Sequence, residues 1–170
     1  MVTIESPSVE AVDAIADLWV ELAESQRRYS SHLLAERNRT PARNAITRHV
    51  VTGGMLVATE YGPKKREGRV ERRGRTFVGF VMFGLESGAY EQDVTRGVIH
   101  NLYVQPSHRD QGVGSALLDA AEEGLAEEGA DVVALEAMAG NEAAKRFYRR
   151  HGYDTHRVAL EKRTETTNRS

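Results

Sequence analysis

The sequence contains no cysteine, one tryptophan and four prolines in 170 residues. Without cysteine there is no disulfide framework, no thiolate zinc site and no cysteine nucleophile. No apolar run approaches the roughly 18 residues that cross a bilayer. The opening MVTIESPSVEAVDA has neither the basic start nor the apolar stretch of a secretory leader. A large charge of one sign is also missing. The formal net charge of −2 suits neither a polycation seeking nucleic acid nor a strongly acidic chain. What is present is 40% hydrophobic and 28% charged residues, the balance of a globular protein. A chain of this length buries roughly 70% of its extended surface and can build its own core. The expectation is a single domain over 1–163 and a frayed tail over 164–170.

The pattern of elements follows from periodicity and punctuation. Val2, Thr3 and Ile4 favour a short strand. Ser6 and Pro7 look like the N-cap and first position of a helix. Val12, Ile15, Ala16, Trp19, Leu22 and Ala23 follow at helical spacing. A second helical stretch over about 31–51 is interrupted near Thr40 and Pro41, and Gly53 with Gly54 ends it. Strands are expected over 55–61, 76–85 and 97–104. The basic segment 62–75, GPKKREGRVERRGR, reads as a solvated hairpin loop. It lacks the interleaved aromatic residues of a base-stacking surface, so nucleic acid is not the expected partner.

A helix over 112–128 carries Val113, Leu117, Ala120, Ala121 and Leu125 on one face. The apolar run in 131–137 predicts a strand buried on both faces. A helix over 141–151 has Asn141 as its N-cap and Gly152 just past its end. Residues 153–162 read as a last strand. The order β-α-α-β-β-β-α-β-α-β describes an α/β (α+β) chain. Its central sheet is mixed and mostly antiparallel, with helices on both faces.

The segment 101–118, NLYVQPSHRDQGVGSALL, carries the chemistry. A strand ends at Val104, a loop with Pro106 follows, and Arg109, Asp110, Gln111, Gly112, Val113 and Gly114 lead into a helix. The first turn of a helix leaves its N–H groups without intrahelical partners, and the macrodipole adds positive charge there. Glycine at 112 and 114 removes side chains that would hold an anion away from those groups. Arg109 adds a cation. The combination is a pyrophosphate cradle. It is not a nucleotide-binding P-loop, because Ser115 and Ala116 stand where Lys and Ser/Thr would be needed.

This segment resembles the GNAT superfamily of acyl-CoA-dependent N-acyltransferases. That family's diagnostic turn is Arg/Gln-x-x-Gly-x-Gly/Ala after an apolar strand, matched here by Arg109 to Gly114 after Leu102, Tyr103 and Val104. A second signature is an Asn opening a later helix with an aromatic pair and a Gly-Tyr or Gly-Phe end. Asn141, Phe147, Tyr148, Gly152 and Tyr153 match it. The detailed match covers roughly 97–155.

The resemblance implies an N-acetyltransferase that moves an acetyl group from acetyl-CoA directly to a primary amine, releasing coenzyme A. The acceptor would be a small molecule or a peptide or protein amine. The backbone of Leu102, Tyr103 and Val104 would pair with the pantetheine arm. The N–H groups of Arg109, Asp110, Gln111, Gly112, Val113, Gly114 and Ser115 would hold the diphosphate, and Asn141 would contact the pantetheine side. Tyr148 would protonate the leaving sulfur; a phenol with its usual pKa of about 10 keeps its proton at neutral pH.

The candidate base is His100, which period-two alternation places on one face with Val98, Leu102 and Val104 unless a bulge intervenes. Glu60, Glu86 and Tyr90 are alternatives. Tyr29, His32, Glu36, Glu86 and Tyr90 are the candidate acceptor-binding residues. The histidines show no metal-ligand spacing, and no metal is required. The expected setting is cytoplasmic. A homodimer is in keeping with the resemblance, although no apolar stripe marks its face. The competing reading is a non-catalytic acyl-CoA-binding sensor or scaffold.

Overall fold

The computed structural model describes residues 1–66 and 69–165; for 63–66 and 69–73 it describes the backbone alone. Runs rich in β-branched and aromatic residues form five strands. They are β1 (Val2–Glu5), β2 (Met55–Arg66), β3 (Arg69–Leu85), β4 (Arg96–Val104) and β5 (Val132–Leu135). They make one sheet in the order β1-β2-β3-β4-β5. The pairings through β4 are antiparallel, and β5 joins β4 in parallel. The helices are α1 (Val12–Gln26), α2 (Arg39–Thr52), α3 (Val113–Glu127) and α4 (Glu142–Arg150).

The sheet divides the core. On one face Ile15, Trp19 and Ile46 from α1 and α2 meet Val57, Phe80, Met82 and Tyr103. On the other, Leu117, Leu118 and Leu125 of α3 meet Val78, Val81, Phe83 and Ile99, with Phe147 and Tyr148 of α4 beside them. Each such aliphatic side chain contributes about 1.5–3 kcal/mol by leaving water. The result is the mixed, mostly antiparallel sheet with helices on both faces that the pattern predicts.

The differences are local. α1 starts at Val12, after a short 3-10 turn at Val9–Ala11, so Ser6 and Pro7 lie before it. The burial of Val12 and Ile15 sets that start. Thr40 and Pro41 sit in the first turn of α2, where the missing proline N–H costs no bond, and so they open the helix rather than interrupt it.

β2 and β3 continue as paired strands through Gly62↔Gly74 to Arg66↔Arg69, where a loop was expected. The tip at 67–68 and the basic side chains of 64–73 lie outside the described residues, as does the tail at 166–170. β5 is shorter than expected and is not buried on both faces; Val132 is exposed. The last strand, expected over 153–162, does not form. A strand requires a partner edge, and among the described residues 154–165 make no backbone–backbone hydrogen bond.

Candidate active site

After Val104 the chain makes a short 3-10 turn at Pro106–His108 and enters α3. Asp110 (φ 59°) and Gly112 (φ 81°) are both left-handed. Such alternation turns successive N–H groups toward one concavity. Among the described residues, no acceptor meets the N–H of any residue in 110–115. The first bond of the turn runs from Ala116 N–H to Gly112 O at 3.0 Å. These unpaired donors stand at the positive end of the α3 dipole. A Cβ on Gly112 would find nothing within 4 Å, so the mouth is open. A Cβ on Gly114 would touch Phe147 at 3.5 Å, because α4 packs against the same mouth.

His151 steadies this turn. Its Nδ1 donates to Phe147 O at 2.8 Å, and its Nε2 lies 3.0 Å from Ser115 Oγ. A carbonyl only accepts, so Nδ1 carries a proton toward Phe147 O, and Nε2 shares a hydrogen bond with the Ser115 hydroxyl.

β4 and β5 pair only from Arg96↔Val132 to Ile99↔Leu135. Beyond that they part, and β4 runs on to Val104 with an open edge. Leu102, Tyr103 and Val104 therefore present backbone groups to a slot. One group is taken: Arg109 Nε donates to Val104 O at 2.9 Å, while the guanidinium lies 5.7 Å from the Tyr103 ring centre. Arg109 thus reaches the cradle but spends one donor on its own strand. Asn141 caps α4, its Oδ1 accepting from Ala144 N–H at 3.1 Å, which leaves its amide NH₂ free of that bond.

Tyr148 lies on α4 at the α3 side of the sheet, in the same core cluster as Leu102, Val104 and Leu135. Phe147 and Tyr153 meet its ring edge-on. Tyr153 donates to Glu122 at 2.7 Å and Tyr103 to Glu21 at 3.1 Å. The Tyr148 hydroxyl, by contrast, has no partner among the described residues. Burial alone pushes its pKa up to about 12, so its proton is retained through neutral pH.

His100 lies elsewhere than simple alternation predicts. Met82 pairs with Asn101 and Phe83 with Ile99, so His100 is an unpaired bulge residue. The extra residue moves Leu102 and Val104 to the α3 face. His100 turns to the α2 face, its ring 5.3 Å from that of His49. The two candidate proton-handling groups thus approach β4 from opposite faces. Desolvation, and secondly the charge of His49, holds His100 below the usual histidine range. It is therefore neutral, and basic, at neutral pH.

The acceptor candidates fall in two loops. Tyr29, just past α1, packs its ring 3.7 Å from the Cβ position of Gly140, in the loop before α4. His32, farther along the α1–α2 connection, meets Glu161 at 2.7 Å on the surface; Glu36 opens a further turn there. Glu86 and Tyr90 lie in the β3–β4 connection. Glu86 accepts from Gln92 at 2.6 Å and Arg96 at 2.7 Å, which hold it below the ordinary carboxylate range. Tyr90 is 90% exposed. Glu60, the other alternative base, is held by His108 at 2.7 Å.

Sequence reasoning missed His151, which touches Ser115 across 36 positions. No local pattern announces such a contact. Among the described residues, no group of three or more His, Asp or Glu could hold a metal ion, and no helix is long and apolar enough to cross a membrane.

Comparison with known proteins bears on the fold and the family. No curated protein matches the chain in sequence. A GCN5-related N-acetyltransferase from Ralstonia eutropha superposes with a TM-score of 0.68 at 20% identity, over 98% of this chain and 100% of that one. A transcriptional regulator from Bacillus halodurans gives 0.68 at 18%, over 96% and 100%. The aminoglycoside N-acetyltransferase AAC(6')-Iy, in complex with CoA, gives 0.65 at 12%, over 98% and 96%. At such identities these likenesses speak for the fold alone. The model of the acetyltransferase (GNAT) family matches residues 19–153, most of the sequence, and the chain belongs to that family.

Proposed function

We propose that the protein transfers the acetyl group of acetyl-CoA directly to a primary amine. The observation that carries this reading is the run of unpaired amides at 110–115 beside the open edge of β4. The cradle fits a diphosphate: its donors are unpaired, Gly112 leaves the mouth clear, and Arg109 stands beside it. The slot at 102–104 fits an extended amide-bearing arm, which would add to β4 as a strand adds to an edge. Asn141 would offer its amide to the same arm. Acetyl-CoA, when bound, supplies an activated acyl group on a good leaving thiol.

The chain's own residues then manage two protons. His100, neutral and on the α2 face, accepts the proton of the incoming amine, directly or through water. Tyr148, on the α3 face, gives its proton to the departing sulfur. An acid and a base on opposite faces suit a substrate threaded between them. Tyr29, His32, Glu86 and Tyr90 would meet the acceptor, and their carboxylate and aromatic groups favour a cationic amine. The acceptor's class is a small molecule or a peptide amine, and the setting cytoplasmic.

A panel of small amines and peptides with acetyl-CoA tests this, read by free thiol and by mass gain on the amine. Amine-dependent thiol release that falls in Tyr148→Phe supports it. Saturable acetyl-CoA binding with no turnover on any amine favours the second reading, a non-catalytic acyl-CoA sensor or scaffold.

A further inference from the structure

At the end of the sheet away from the cradle lies a cavity of about 250 Å³. Its walls are His49 and Thr52 at the end of α2, Phe83, Gly84 and Leu85 at the end of β3, and Glu128 just past α3. It is smaller than the roughly 300–1,000 Å³ of sites for drug-sized molecules, so it suits a small group.

Every polar side chain on these walls is left to accept. His49 Nδ1 lies 2.8 Å from Ala45 O and must donate to it, so in the neutral ring Nε2 is a bare lone pair. A Cβ on Gly84 would meet only that Nε2, at 3.9 Å, so the atom looks into open space. Thr52 gives its hydroxyl hydrogen to Arg48 O at 2.8 Å and keeps its oxygen lone pairs. The carbonyls of Val50, Val51 and Thr52 accept no hydrogen bond among the described residues. Glu86 nearby is spent on Arg96, whereas Glu128 has no ionic partner among the described residues. Neither lysine nor arginine lines the space. The C-terminal ends of α2 and α3 add partial negative charge.

A cavity of acceptors calls for a ligand of donors. An alkylammonium group has three N–H donors and no acceptor. Leu85, partly exposed, offers an apolar wall to its methylenes. The position matters as much as the chemistry. The His49 ring meets the His100 ring edge-on at 5.3 Å, so the cavity adjoins the candidate base on the same face of the sheet. We propose that the cavity holds a second ammonium group of the acceptor, which is then a short aliphatic diamine or polyamine. One amine reacts beside His100 while the other is held past His49. The link to the acceptor rests on the function proposed above; the affinity of the cavity for an ammonium group does not.

The first test uses the full chain without acetyl-CoA. Putrescine is expected to bind saturably by calorimetry and to shift the His49 ring signals in NMR; butanediol, its uncharged counterpart, is not. Glu128→Gln removes the carboxylate, and Gly84→Val fills the space before Nε2 with a residue that suits a strand. Each is expected to stay folded by circular dichroism and to lose putrescine affinity about tenfold. Absence of saturable binding overturns the proposal, and so does binding that both variants retain. With acetyl-CoA added, KM for putrescine is expected about tenfold below that for butylamine, and Gly84→Val should erase the difference. Equal KM values for the two amines overturn the diamine assignment. Failure to acetylate any amine contradicts the enzymatic reading instead, and the binding experiment still decides whether the cavity takes an ammonium group.

Discussion

His151 and Ser115 meet at the mouth of α3, Nε2 to Oγ at 3.0 Å, and so couple the end of α4 to the turn whose amides are unpaired. The contact gives the cradle a second support besides its own backbone. Replacing His151 with Ala removes two hydrogen bonds, of which the one that reaches the turn, to Ser115, contributes about 0.5–1.5 kcal/mol, or roughly 2–10-fold. The expected effect is a rise of that size in KM for acetyl-CoA with kcat nearly unchanged. Steady-state kinetics checks it; an equal fall in kcat would place His151 in the chemistry instead.

Gly112 is the residue least replaceable for binding. A side chain there would be strained by the left-handed backbone, at about 1–3 kcal/mol, and would project into the mouth. Gly112→Val is expected to stay folded by circular dichroism and to lose more than tenfold in acetyl-CoA affinity by calorimetry. Gly114→Ala should be milder, because its methyl would stand at ordinary contact distance from Phe147.

Tyr148→Phe removes a proton donor and little else, since the hydroxyl has no protein partner. Loss of a general acid typically costs 10²-fold or more in rate. kcat should fall by about that factor while acetyl-CoA affinity holds. With the Tyr148 pKa pushed up to about 12, the acid form is not lost below pH 10. No alkaline limb from this group is expected in the working range.

His100 gives a pH prediction with a definite sign. Desolvation and the neighbouring His49 both disfavour its charged form, so its pKa lies below the usual histidine value of about 6.5. The acidic limb of kcat/KM should fall there. His49→Ala removes the repulsion and should move that limb toward higher pH; His100→Ala should abolish it. Folding is linked in the same sense. The unfolded chain binds the proton first on acidification, so the stability His100 contributes falls as pH drops through 6.5 toward the lower folded value.

The parts of this molecule that were legible in its sequence are those with local causes. The meander's apolar runs, the Gly112 turn and the Asn141 cap each depend on residues within a few positions, and each stands as expected. The last strand did not form because a strand exists only against a partner edge, and Val158 and Leu160 look the same with or without one. The bulge at His100 was equally hidden: alternation counts residues, and a bulge inserts one without changing composition. The partnership of His151 with Ser115 depends on how α4 packs against α3. That is a tertiary fact, and a lone histidine carries no sign of it.

The most direct measurement is amide chemical-shift perturbation on adding coenzyme A to the labelled protein. The account predicts that the largest shifts fall on the N–H groups of 110–115, with smaller ones at 102–104 and Asn141, and that Gly112→Val weakens them all together. Saturating coenzyme A that leaves 110–115 unmoved, while the protein is folded, would contradict it.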